Sequence, residues 1–290
     1  MQSNPLKNWL LLLLIGTIWG SSFILIKKGL VVFSDTQIAA LRMGLAWIVT
    51  LPFLLPRFRE ISRKEWLVLL SVGLFGNGIP AFLFATAQTK IDSSLAGMLN
   101  TLVPILTMIF GLLLFGLKTW TVQVVGLVIG FIGAVMLIVM PGGISGFRPE
   151  ALLIVLASAC YAFNLNMVRR FLPTMRSMLI TAGSFVWVGP LCLVYLFSTD
   201  FIARFEHEHA VISFGAIATL AIIGTTAAVV MFNKLIQSGG PLFASMVTYI
   251  VPVVAILWGV FDGEQISGWS VVGVMVILAG VYLVQKPSAR

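Results

Sequence analysis

Acidic residues are scarce in this sequence, and none lies deep in an apolar run. The 290 residues include ten Asp and Glu. Asp262 and Glu264 only close the ninth apolar stretch. A pump that trades protons for organic cations needs a carboxylate at membrane depth, so a fixed anionic site is not expected. Cysteine is nearly absent as well. Cys160 and Cys192 each sit inside an apolar stretch, which leaves no disulfide framework and no metal spacing and makes both packing residues. The two histidines, His207 and His209, flank Glu208 in a polar loop, and an H-x-H without a third ligand is no metal site. With no nucleophile–base pair and no paired aspartates at depth, an intramembrane enzyme is not expected. No G-x-x-x-x-G-K-[ST] run occurs, which excludes a P-loop ATPase. No cofactor is called for.

What is present is apolar surface. Apolar residues make up 59% of the chain and charged residues 10%, and the mean hydropathy is +1.07. A soluble core stops growing near 250–300 residues and cannot hide this much, whereas a bundle in lipid needs an apolar outer face. The net charge of +8 sits in short basic clusters between the apolar runs. That placement fits membrane topology, so nucleic acid is not an expected partner. Lys7 and the run from Trp9 imitate a signal peptide but lack an A-x-A-like site. The run continues to Ile26, which predicts a retained first helix.

A bilayer core about 30 Å thick takes about 20 apolar residues per helix. Spans fit at 9–26, 36–55, 66–88, 93–115, 120–140, 150–168, 178–198, 211–235, 241–261 and 267–284. Ten spans put both termini on one side. That side collects Lys7, Arg57, Arg59, Arg63, Lys64, Lys118, Arg169, Arg170, Arg176, Lys234, Lys286 and Arg290, which are 12 of the 18 basic residues. The bias predicts cytoplasmic termini. The Lys27–Lys28 pair on the other side is a local exception.

Residues 93–139 return near the C-terminus. Ala96, Met98, Val103, Pro104 and Gly111 match Ala244, Met246, Val251, Pro252 and Gly259 at a constant offset. After a one-residue slip, Gly126 and Gly133 fall on Gly273 and Gly280. More faintly, Trp19 and the Lys27–Lys28 pair of the first span fall on Tyr161 and Arg169–Arg170 of the sixth. Gly76 and Phe84 fall on Gly224 and Phe232. Five spans per half is odd, so the second half must cross the membrane in the opposite sense. The predicted fold is therefore an all-α membrane protein of ten transmembrane helices, built as two inverted five-helix repeats over residues 1–140 and 150–285. Such repeats give secondary transporters two faces of similar energy around a midplane site.

The Trp19-Gly20-Ser21-Ser22-Phe23 run, the mid-helix prolines Pro104 and Pro252, and the Gly263-Glu264 that closes the ninth span resemble the EamA-type transporters of the drug/metabolite transporter superfamily. The resemblance covers essentially the whole chain. It implies export or exchange of small metabolites, commonly amino acids, and is greatest with bacterial inner-membrane amino-acid exporters, including those for aromatic amino acids. One departure is the Gly116-Leu117-Lys118 of the first half, where the family often has Gly-Glu.

Polar side chains at bilayer depth are costly and face a cavity or another helix. On that ground the expected substrate cavity is made by Trp19, Ser22, Asn77, Asn100, Tyr161, Asn164, Thr225, Thr248 and Tyr249. Pro104 and Pro252 remove the amide partners of the Asn100 and Thr248 carbonyls. They mark the expected hinges, and the freed carbonyls are candidate ammonium ligands. Arg42, about two turns into the second span, either snorkels to the interface or contacts an anionic substrate group. Phe82, Phe84 and Trp187 read as packing or lipid-facing residues. Gly126, Gly130, Gly273 and Gly280 suit close packing within the bundle or between protomers. The expected protein is an inner-membrane transporter, monomer or weak homodimer, whose partners are the bilayer and a small-molecule substrate. It moves amino acids outward by alternating access; a proton-coupled efflux pump for multiple drugs or aromatic cations is the alternative.

Overall fold

The computed structural model describes residues 5–116, 120–140 and 148–285, and all their regular secondary structure is helical. Eight helices are long and apolar enough to cross a membrane: α1 (Leu6–Gly29), α2 (Asp35–Glu60), α3 (Arg63–Ala87), α4 (Ser93–Phe115), α5 (Thr121–Val139), α6 (Ala151–Phe171), α7 (Ser177–Phe197) and α8 (Ala210–Leu235). Two shorter apolar helices follow, α9 (Val247–Phe261) and α10 (Gly268–Val284). The expected ninth run is divided: helical geometry continues past Leu235 to Ser245, and a turn at Met246 precedes α9.

Local sequence explains several boundaries. Ser34 opens α2 and Ser62 opens α3 with capping boxes closed by Gln37 and Glu65, which satisfy amides that would otherwise be orphaned. At the ends of α4 and α9 the chain turns through Gly116 and Gly263 at φ 66° and 79°, left-handed values that glycine adopts without a Cβ penalty. These two glycines occupy corresponding places in the two halves. Leu117 and Lys118, which follow the first, lie outside the described residues.

The packing also corresponds between halves. The most extensive contacts join α5 to α10 and α2 to α7. α1 packs on α8 and α9, as α6 packs on α3 and α4. The α5–α10 seam rests on glycine. A Cβ on Gly133 would lie 2.7 Å from the Ile277 amide nitrogen and 2.8 Å from the Gly273 carbonyl, and one on Gly126 would lie 2.7 Å from the Gly280 carbonyl. The small residues thus pack helix to helix inside the bundle.

Two features were not read in the sequence. The middle of α3 (Leu74–Gly78) and of α8 (Leu220–Ala227) widens into π-helix. In α3 the cause is Pro80, which has no N–H to give the Gly76 carbonyl; the Ile79 amide reaches back five residues to the Leu74 carbonyl. Side chains follow the same spacing: Asn77 donates to the Val72 carbonyl, Thr225 to Leu220 and Thr226 to Ala221. Such bulges recur at functional sites.

Candidate functional site

A cavity of about 390 Å³ lies among α1, α2, α3, α4, α6, α7, α8 and α9. Of the expected cavity residues, Trp19, Ser22, Asn77, Asn100, Tyr161, Asn164, Thr225 and Thr248 all line it, as does Pro104. Tyr249 does not: it packs against the apolar core. Pro252 is also off the wall, buried inside α9. Phe84, read as packing, forms part of the wall and stacks on Tyr161 with ring centroids 6.0 Å apart. Trp187 is 37% exposed on the outside.

The wall is built by bonds between helices. Trp19 donates its indole N–H to the Gly224 carbonyl at 3.1 Å, inside the π segment of α8, and its ring lies 4.7 Å from that of Phe232. Asn77 donates to the Ser184 hydroxyl on α7 at 3.2 Å, and Asn166 to the Thr107 carbonyl on α4 at 3.0 Å. Arg42 donates from Nε to the Thr225 hydroxyl at 2.6 Å. It therefore points into the wall, and the snorkelling reading does not hold. Gly76 makes room for Asn164, whose amide would lie 2.6 Å from any Cβ there.

The freed Asn100 carbonyl is also corrected. α4 narrows to a 3₁₀ turn at Asn100–Leu102, and the Val103 amide donates to that carbonyl. Asn100 Oδ1 and Asn164 Oδ1 are buried and have no hydrogen-bond partner among the described residues. Unpaired buried acceptors cost about 1–3 kcal/mol each.

The cavity wall includes Gln123 at the start of α5, Val284 at the end of α10 and the exposed Arg169 near the end of α6. Toward the other end its wall includes Ile26, beside which charged residues tie α1 and α4 to the turn after α9. Lys27 Nζ lies 2.7 Å from both Asp262 Oδ2 and Glu264 Oε1, and Lys28 pairs with Asp262. The Glu264 side chain is 2% exposed. It accepts from the Ser93 hydroxyl at 2.7 Å and from the Ser93 and Ser94 amides at 3.1 Å, at the start of α4. Burial alone would raise its carboxyl, but hydrogen bonds from Lys27, Ser94 and Ser93 prevail and hold it down to about 2. Bonds from Lys27 and Lys28 likewise hold Asp262 below the usual carboxylate range. The basic pair that departed from the charge bias is thus neutralised by acids 234 and 237 residues away.

The EamA-like transporter family matches the chain twice, over residues 7–139 and 148–285. The chain belongs to this family. It is a membrane transporter. It is 29% identical over 268 residues to the inner membrane transporter YedA of Escherichia coli K12, covering 89% of this chain and 85% of that one. A transporter of Archaeoglobus fulgidus is 26% identical, with 97% and 99% covered. A protein of Salmonella typhimurium named as a probable amino-acid metabolite efflux pump is 23% identical, with 96% and 94% covered. A solved crystal structure superposes with a TM-score of 0.64 at 20% identity, over 97% of this chain and 96% of its own; at that identity the likeness is one of fold.

Proposed function

We propose that this protein exports amino acids across a bacterial inner membrane by alternating access, with ten membrane crossings arranged as two inverted halves and both termini cytoplasmic. The observation that carries the reading is the pair of unpartnered oxygens, Asn100 Oδ1 and Asn164 Oδ1, in a cavity walled by Trp19, Phe84 and Tyr161. Two buried acceptors without a partner suit the N–H groups of an ammonium, and aromatic walls suit varied side chains. The Salmonella typhimurium relative named as an amino-acid metabolite efflux pump supports the same class. The positive-inside bias supports placing the Gln123, Arg169 and Val284 end of the cavity on the cytoplasmic side, the substrate's source.

Cation efflux is disfavoured by charge. Among the described residues, which include all ten acids, no carboxylate lines the cavity. Proton coupling through a central acid has no group to use, and facilitated diffusion or exchange is the consistent mode. The glycines of α5 and α10 are used inside the bundle, consistent with a monomer or a weak homodimer.

Uptake of labelled L-leucine into proteoliposomes tests the assignment. Asn100→Ala and Asn164→Ala are expected to lower it about tenfold at limiting substrate, while Tyr249→Phe leaves it unchanged. Wild-type rates in both asparagine variants remove the cavity from the pathway.

A further inference from the structure

Arg42 is a cation placed in the wall of a transport cavity with no counter-ion. All ten acidic residues are described, and none forms an ion pair with it. Asp262 and Glu264, just beyond α9, are committed to Lys27 and Lys28. The hydrogen-bond partner of Arg42 is neutral: the Thr225 hydroxyl, which takes its Nε–H. Thr225 is itself anchored, donating to the Leu220 carbonyl at 3.0 Å. The guanidinium is therefore held from one side through Nε. A guanidinium has five N–H donors in a fixed fork, and its two terminal nitrogens match the two oxygens of a carboxylate.

An arginine at membrane depth is expensive unless paired or wet. Had it served only to staple α2 to α8, a neutral side chain would bond Thr225 at less cost, because a buried charge without its partner is destabilising. In this molecule the missing negative charge must come from outside the chain. Arg42 also lies on a different helix from Asn100 and Asn164, so one cavity offers a cation and two neutral acceptors.

We propose that Arg42 is the receptor for the substrate's carboxylate, and that the transported class is defined by that group. Compounds with a carboxylate are taken, with or without an amine, and the corresponding amines and amides are refused. The inference rests on the transporter reading and narrows it from polar metabolites to carboxylate-bearing ones.

The test uses the purified full chain and three probes that share a ring: L-phenylalanine, 3-phenylpropionate and phenethylamine. Binding is read as the rise in thermal midpoint with ligand concentration, and transport as uptake into proteoliposomes. Wild-type protein is expected to bind and move the two carboxylates and to ignore phenethylamine. Arg42→Gln is expected to lose ten- to a hundredfold in affinity for both carboxylates, and Arg42→Lys to keep part of it. The wild-type comparison stands even where a variant fails to fold. Equal binding of phenethylamine and 3-phenylpropionate by wild-type protein overturns the proposal, as does full carboxylate affinity in a folded Arg42→Gln protein. Refusal of both carboxylates by wild-type protein overturns it too. Binding and uptake of 3-phenylpropionate but not of any amino acid would uphold Arg42 and refute the amino-acid reading instead.

Discussion

Replacing Glu264 with glutamine should loosen the end of the bundle where α1, α4 and α9 meet. The carboxylate is 2% exposed and gathers Lys27, Ser93 and Ser94 from α1 and α4. Its carboxyl is held at about 2 against an ordinary 4.5. That difference is worth about 3 kcal/mol in favour of the charged form. Separating α9 from α1 and α4 returns the group to water and to its ordinary value. The packed arrangement therefore gains this free energy above pH 4.5 and loses it as the pH falls from 4.5 through about 2. Lys27 is 36% exposed, so solvent screening reduces the usable part to about 1–2 kcal/mol. Glutamine keeps the shape and removes the charge, and should shift the packed-to-separated ratio about tenfold. Spin labels at Val31 and Phe261, 53% and 82% exposed near that end, report the separation in a background lacking Cys160 and Cys192. Glu264→Gln should move population from the short to the long distance in nanodiscs. An unchanged distribution would refute the view that this network holds the three helices together.

Three further outcomes follow from the packing. Gly133→Ala should lower the thermal midpoint in detergent, at a cost of about 1–3 kcal/mol, because the new methyl meets the backbone of α10; Gly215→Ala, with nothing within 4 Å, should not. Trp19→Phe keeps an aromatic ring but loses the bond to the Gly224 carbonyl, and should raise the substrate concentration for half-maximal uptake about fivefold, near 1 kcal/mol. Pro104→Ala and Pro252→Ala should slow turnover while leaving substrate binding intact. Unaltered turnover in both would remove the prolines as hinges.

The parts of the fold legible in the sequence were those fixed by backbone chemistry. Apolar runs set most helices, and Gly116, Gly263 and the glycines of α5 and α10 are positions where a side chain has no room or no favourable φ. Eight cavity residues were legible because an Asn, Thr, Ser, Tyr or Trp at bilayer depth has few places to go. Direction was harder. Arg42 and Phe84 lie at depths where two orientations suit the sequence, and only the neighbours Thr225 and Tyr161 decide between them. The π segments alter the periodicity by a single residue, too little to see against apolar surroundings. The charged network joins residues more than 230 positions apart, and no local pattern connects them. Tyr249 packs against the apolar core while Val247 and Thr248 of the same turn line the cavity.

Counterflow most directly tests the central claim, that amino acids cross through this cavity by alternating access. Proteoliposomes loaded with unlabelled L-leucine, then diluted into labelled L-leucine, should accumulate label above protein-free vesicles. They should do so equally with and without an imposed pH gradient. Accumulation that requires a proton gradient and occurs only with organic cations would contradict an account in which no carboxylate lines the cavity.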